Sequence, residues 1–146
     1  MSIDLKISNL KEFNKKLNKH IQDNKVKEYV TRGTMMVMNT AKKSIASGGT
    51  GELYEKYQPR RSHRASAPNQ PPATDTGFLI SQITMKVKAN KRNGSVEGMI
   101  ISSAPYSKAL EFGTTQMTER PFMQPALQKN KRKIQQLFKK GILKKL

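Results

Sequence analysis

A long segment that is poorly suited to a core helix or strand interrupts the middle of this 146-residue chain. Residues 47–75 contain four of the seven prolines and three of the nine glycines. Proline removes a backbone donor and glycine has no side chain to pack, so a core element is not expected there. LYEKY at 53–57 could form one helical turn, and the later prolines favour an extended, polyproline-like path. So long a stretch inside a compact domain is usually functional or disordered.

The residues before this segment have helical periodicity. Over residues 9–22, with Ser8 as the cap, the apolar positions fall on one face: Leu10, Phe13, Leu17 and Ile21. A second helix is predicted from Lys25 to Ala46, and SGGTG at 47–51 ends it.

The residues after the segment alternate between helix and strand signals. Asp75 is predicted to cap a short helix, TGFLISQI. ITMKVKA and SVEGMIISS are predicted to pair as a hairpin around Asn93 and Gly94. APYSKALEFG fits a short helix that ends at Gly113, and a long helix follows with Ala126, Leu127, Ile134, Leu137, Phe138 and Ile142 as its apolar stripe.

These elements predict an α+β fold in one domain, 1–146, with N-terminal helices and a long C-terminal helix packed on a small antiparallel sheet. Its parts are N-terminal helices at 1–46, an extended arm at 47–75, a hairpin core at 76–128 and a basic helix at 129–146. A hairpin alone is marginal, so a third strand is expected, either TTQMTE at 114–119 or a strand from a neighbouring chain.

The net charge of +18 indicates contact with a polyanion, either DNA or an acidic protein surface. No acidic residue follows Glu119, and the candidate contacts are Lys129, Lys131, Arg132, Lys133, Lys139 and Lys140. A solvated basic tail is the alternative.

The sequence contains few features that would support a catalytic, metal or cofactor site. The chain has no cysteine, and its two histidines, His20 and His63, have no metal-spaced partner. The acids are scattered, so we predict no enzyme, metal or cofactor. No apolar run is long enough to span a membrane, and MSIDLKISNL lacks an apolar signal core, so neither a membrane location nor secretion is expected.

Three stretches together resemble one protein family. They are SAPNQPPATDTGFLISQI (66–83), YSKALEFGT (106–114) and MTERPFMQPAL (117–127). In this order they are similar to the central signature, the Leu-Glu-Phe-Gly-Thr element and the Arg-Pro-Phe-x-x-Pro-Ala element of tailed-bacteriophage neck, head–tail joining and tail-completion proteins. Members commonly carry a basic residue after the Asp-Thr-Gly glycine, where this chain has Phe78.

The resemblance implies a non-catalytic virion protein, assembled in the host cytoplasm, that forms a ring of six or twelve copies at the head–tail junction. Its partners would be copies of itself and neighbouring head-completion, tail-terminator or tail-tube proteins, with genomic DNA passing through the neck as a further contact. Since a proline-stiffened arm loses less entropy on docking, the arm is predicted to order only against another chain. A disordered insertion is the alternative.

Two sets of site residues follow. The predicted subunit or partner interface comprises Tyr54, Tyr57, Pro68, Pro71, Pro72, Asp75, Gly77, Leu137 and Phe138. The predicted structural corner comprises Glu111, Phe112, Gly113, Arg120, Pro121 and Phe122, with both phenylalanines buried and Arg120 paired with Glu111 or Glu119.

The apolar stripe of the last helix favours docking on protein over contact with DNA alone. The alternative function is a basic, non-specific nucleic-acid-binding protein.

Overall fold

The structure, a computed structural model, describes residues 25–57, 60–90 and 95–141. Its elements in chain order are α1 (Lys25–Ala46), β1 (Leu53–Tyr57), β2 (Arg60–Arg64), α2 (Phe78–Ser81), β3 (Ile83–Asn90), β4 (Ser95–Ser102), α3 (Ser107–Phe112) and α4 (Met123–Gly141). The predicted α+β class is confirmed. The predicted helix at 9–22, His20, the turn at Asn93 and Gly94, and Ile142 lie outside the described residues.

β3 and β4 form the predicted antiparallel hairpin, with Ile83 opposite Ser102 and Asn90 opposite Ser95. Ile83 is buried and Met85 and Val87 are half-buried, whereas the residues that alternate with them along β3 are exposed. Helix α1 packs on this hairpin. A Cβ atom at Gly98 would collide with the side chain of Thr34, so a glycine there lets β4 approach α1 closely.

α1 and α4 pack side by side and run in opposite directions. Asn130 donates to Thr40 Oγ1 over 2.8 Å, and the rings of Tyr29 and Phe138 lie 6.2 Å apart. Between these two contacts, Gly33 faces Ile134, and the absent side chain leaves room for the isoleucine.

The core lies where α1, the start of β3 and the first turns of α4 meet. Its buried apolar members are Val37, Ala41, Ile45, Leu79, Ile83, Ala104, Phe122 and Ala126. Burying one large apolar side chain stabilises a fold by about 1.5–3 kcal/mol. Among the described residues, the largest fully buried side chains are Ile45 in α1, Ile83 in β3 and Phe122 just before α4.

Two secondary-structure predictions are wrong. LYEKY at 53–57 is strand β1, because RRSHR pairs with it from Leu53 opposite Arg64 to Tyr57 opposite Arg60. Residues 114–119 do not add a third strand, because Thr114 and Met117 exchange backbone hydrogen bonds and close a turn. Both sheets therefore have two strands within the described residues, and α1 covers the face of the β3–β4 hairpin.

The predicted cap of α2 is also wrong. The cap residue is Gly77, whose φ of 77° is favourable for glycine, and Thr74 and Thr76 accept hydrogen bonds from the next amides. The carboxylate of Asp75 instead faces basic side chains of the β1–β2 hairpin, which only the tertiary fold brings near it.

Candidate functional site

The predicted structural corner is organised by Glu111 at the end of α3. Its carboxylate accepts hydrogen bonds from the backbone N–H groups of Phe122, Met123 and Gln124, at 2.9, 3.0 and 2.8 Å. These are orphan donors of the first turn of α4, where a negative charge also meets the positive end of the helix dipole. Glu111 is thus the cap of α4. No ion pair among the described residues joins Arg120 to Glu111 or to Glu119, so the predicted pairing is wrong.

Gly113 turns the chain out of α3, as predicted. Its φ is 72°, and a Cβ there would lie 2.9 Å from the carbonyl oxygen of Met117. The turn returns the chain so that Arg120 N donates to Leu110 O over 2.7 Å. Pro121 follows, half-buried, two residues before α4 begins at Met123.

The two phenylalanines of the corner have opposite environments. Phe122 is 1% exposed and belongs to the core, as predicted. Phe112 is 69% exposed, so its predicted burial is wrong. The difference follows from position. Phe122 lies just before α4 and belongs to the same buried cluster as residues of α1, whereas Phe112 is the last residue of α3.

The corner also anchors the second half of the arm. Arg120 Nε donates to Ser66 O at 3.4 Å, and Asn69 N donates to Glu119 O at 3.0 Å. Thr74 N donates to Ile45 O at 3.1 Å, and Pro72 is buried. Residues 65–75 are therefore hydrogen-bonded to the rest of their own chain, and the idea that the arm orders only against another chain stays a prediction.

A tight turn accompanies this anchoring. Gln70 N donates to Ala67 O, and Asn69 has a φ of 61°. Proline at the second turn position and asparagine at the third suit a turn that needs one positive φ. Pro68 is exposed at this turn, and Pro71 is half-buried.

Asp75 ties the β1–β2 hairpin to the body. Lys56 forms an ion pair with its carboxylate, Arg61 Nη2 lies 2.7 Å from Oδ1, and His63 Nδ1 lies 4.0 Å from the same oxygen. The hydrogen bond from Lys56, with the nearby positive charges, holds the pKa of Asp75 below its ordinary value. One carboxylate thus connects both strands to the segment before α2.

The same hairpin exposes apolar and aromatic side chains. Tyr57 is 74% exposed, and Leu53 and Tyr54 are also exposed. The Tyr54 hydroxyl donates to Glu52 Oε2 over 3.0 Å, which raises the pKa of that phenol. Large aromatic side chains that are partly polar are common at protein interfaces.

α4 carries the predicted polyanion contacts. The six basic side chains predicted for this role are all exposed, and the helix contains no acidic residue. Like charges spaced by four residues repel one another, so a negative partner would stabilise this surface.

The apolar stripe of α4 is used largely within the chain. Ile134 packs against Gly33, Phe138 contacts Tyr29 and Ala126 is in the core. These residues therefore make contacts within their own chain, and the preference for a protein partner over DNA stays a prediction. Leu137 is half-buried, and Leu127 is exposed.

The sequence predicted the structural corner but not the ion-pair partners of Asp75. Lys56, Arg61 and His63 reach it only because β1 and β2 pair, and the sequence signal available was the alternation of polar and aromatic residues at 53–57. Nor could the capping by Glu111 be read locally, since its hydrogen-bond partners lie eleven to thirteen residues further on.

Two features, a metal-binding cluster and a membrane-spanning helix, are absent from the described residues. No group of three or more His, Cys, Asp or Glu side chains among them could hold a metal ion. None of the helices described is both long enough and apolar enough to cross a membrane.

Comparison of the chain with protein-family models, with curated proteins and with solved structures finds no match in any of the three.

Proposed function

We propose that this chain is a structural subunit of a tailed-phage virion that forms a ring at the head–tail junction and joins or completes the tail. The chain would assemble in the host cytoplasm and remain in the neck or tail. Its main partners would be copies of itself, with neighbouring head-completion, tail-terminator or tail-tube proteins above and below.

The observation that carries the proposal is the convergence of the three motif stretches on one corner. Glu111, from the second stretch, caps the helix that begins in the third. Arg120, from the third stretch, donates to Ser66 in the first. The three motifs contact one another through a helix cap and backbone hydrogen bonds. Contacts of this kind stabilise the fold, and they support a structural role for the motifs.

The β1–β2 hairpin supports the assembly part of the proposal. It joins the body at Asp75 and exposes Leu53, Tyr54 and Tyr57. A short two-stranded hairpin is marginal alone and would gain order by burying these side chains on a neighbour. A head-to-tail contact of this kind, repeated by rotation, closes into a ring.

The alternative function, non-specific binding of nucleic acid, rests on α4. Ile134 and Phe138 make contacts within the chain, and every charged side chain on the exposed surface of this helix is a lysine or an arginine. Such a surface binds phosphates without sequence preference, and the binding weakens steeply with salt. In a neck subunit the same surface would face the DNA that passes through the ring.

A phage with a nonsense mutation in the coding gene tests the proposal. Lysates should accumulate heads and tails that fail to join, and addition of the purified chain should restore infectious particles. A Tyr54→Ser/Tyr57→Ser variant should restore fewer particles, whereas Phe112→Ser, which removes an exposed phenylalanine elsewhere, should restore as many as the unaltered chain. Normal particles from the mutant phage would contradict the proposal.

A further inference from the structure

A cleft of about 310 Å³ lies between β2, the second half of the arm, α2 and the structural corner. Its apolar wall includes Pro72, Leu79 and Leu110, and the rings of Phe78 and Tyr106 also line it. A volume close to 300 Å³ is at the lower end of the range for ligand pockets. The cleft is therefore suited to one or two side chains of a partner rather than to a broad folded surface.

The two aromatic rings of the cleft contact each other and remain open to solvent. Their centroids lie 6.3 Å apart, and Phe78 is 45% exposed and Tyr106 44% exposed. Neither ring belongs to the buried core, so packing within the described residues does not account for their position. Aromatic side chains that line a surface cavity are typical anchoring points for an apolar side chain of a partner.

The positive charge of the cleft comes from Arg120. Its side chain is half-buried, and no acidic side chain among the described residues forms an ion pair with it. Its contacts with Ser66 O and Thr118 O, at 3.4 and 3.5 Å, are longer than the usual hydrogen-bond length of about 2.7–3.2 Å. The guanidinium group therefore keeps donors for a carboxylate, whose geometry it matches.

Other polar groups on the wall add hydrogen-bond donors. The hydroxyls of Thr74 and Thr76 each accept a hydrogen bond from a backbone N–H group at the start of α2, so their own protons can be donated to a ligand. Asp75 also lines the cleft, but its carboxylate is engaged by Lys56 and Arg61. A matching ligand must therefore supply both an apolar group and a negatively charged acceptor.

We propose that this cleft binds an acidic segment of a partner protein. An apolar side chain of the segment packs on Phe78 and Tyr106, and a neighbouring Asp or Glu carboxylate binds Arg120. The net charge of +18 attracts such a segment over a longer range. This inference does not depend on the proposed function.

A second copy of the chain suits the cleft less well. The strands of its β1–β2 hairpin contain four lysine and arginine residues against one acid, and its α4 contains no acid. Either element would bring positive charge towards Arg120. A nucleic acid would satisfy the donors, but the rings of Phe78 and Tyr106 are tilted by 40° and do not offer parallel faces between which a base could stack.

Binding of short labelled peptides to the full chain tests the inference. The probes are peptides that place Leu or Phe beside Asp or Glu. One matched set has Asn or Gln in place of the acid, and another has Ser in place of the apolar residue. Fluorescence anisotropy at constant salt should show that the acidic apolar peptides bind more tightly than both matched sets, by on the order of tenfold.

Substitutions in the chain identify the two halves of the site. Arg120→Gln and Phe78→Ser should each weaken binding of the acidic apolar peptides by on the order of tenfold, and Arg120→Lys should weaken it less because the charge is kept. Two control variants should bind as the unaltered chain does. Lys88→Gln removes the same charge from an exposed position on β3, and Phe112→Ser removes an exposed phenylalanine outside the cleft.

NMR spectra of the unaltered chain locate the site even if a substitution at Arg120 disturbs the corner. The peptides should shift the amide signals of residues 72–79, Tyr106 and Arg120. Equal binding of the acidic and neutral sets, or shifts confined to α4, would overturn the inference. The same shifts on raising the protein concentration alone would assign the cleft to a second copy. Stronger shifts with oligothymidylate would assign it to nucleic acid, and either of these results would also overturn the inference.

Discussion

The Glu111 carboxylate accepts hydrogen bonds from three backbone N–H groups at the start of α4. Glu111→Ala should therefore lower the free energy of unfolding by about 1–3 kcal/mol, because orphan donors lose a charged acceptor. Urea unfolding followed by circular dichroism measures this loss. Glu119→Ala is the matched control, since its exposed side chain lies in the same corner, and an equal effect of the two changes would refute the capping role.

Phe122 and Phe112 offer a matched pair within one corner. Phe122→Ala should lower the free energy of unfolding by about 3–5 kcal/mol, because a large cavity is left in the core. Phe112→Ala should change it by less than about 0.5 kcal/mol, because that ring is exposed. Thermal or chemical unfolding of both variants measures these changes. If Phe122→Ala lowered the free energy of unfolding no more than Phe112→Ala does, the ring of Phe122 would lie outside the core.

Some of these residue environments were predictable from the sequence and others were not. The burial of Phe122 and the positive φ of Gly113 were predictable from an apolar residue before a helix and a glycine after one. The exposure of Phe112 and the partners of Asp75 were not, since both depend on which distant elements pack together.

At the scale of elements, the β1–β2 hairpin depends on Asp75. Asp75→Asn should increase the backbone motion of residues 53–64 measured by NMR relaxation, because Lys56 and Arg61 lose their charged partner. The β3–β4 hairpin should be unaffected. Glu55→Gln, which removes an exposed acid from the same hairpin, should have no such effect, and matching motion in both variants would contradict the role of Asp75.

The pH dependence of this attachment has a definite sign. The pKa of Asp75 in the folded chain is below its ordinary value of 3.8, so the folded state favours the charged form. Its contribution should be fully present above that ordinary value and should be lost as the pH falls through the lowered pKa. The part of the hairpin motion that depends on the Asp75 charge should accordingly rise only in acid, as the pH falls through the lowered pKa of Asp75.

The basic surface of α4 should dominate binding to polyanions. Replacing Lys131, Arg132, Lys133, Lys139 and Lys140 with Gln should weaken DNA binding and reduce its salt dependence. The slope of the logarithm of the binding constant against the logarithm of the salt concentration should become less steep by about 0.9 for each phosphate that is no longer neutralised. A variant with Gln at Lys27, Lys42, Lys43, Lys86 and Lys88 has the same net charge and is the control. Fluorescence anisotropy across a salt series measures both, and equal weakening in the two variants would show that location on α4 does not matter.

Elements with strong local signals were predicted well. α1 was expected from Lys25 to Ala46 and has those bounds, and the alternation in β3 and β4 predicted their pairing. The β1–β2 hairpin was missed because prolines and arginines around it mask a weak strand pattern. The third strand was expected because a hairpin needs cover, and α1 provides that cover instead.

At the scale of the whole molecule, a small core supports two exposed surfaces. Within the described residues, eight buried apolar side chains form the core around α1, β3 and the start of α4, while the apolar side chains of the β1–β2 hairpin and the basic face of α4 are exposed. A subunit of this design would gain much of its stability from neighbours in an assembly. Its net charge of +18 would oppose self-association unless DNA or acidic protein surfaces offset it.

The most direct test of the proposed ring is a cryo-electron microscopy reconstruction of the head–tail junction in particles produced from the genome that encodes the chain. We expect a closed ring of copies, six or twelve in number, with the β1–β2 hairpin of each copy in contact with the next. A junction that contains no copy, or a single copy, would contradict the proposal.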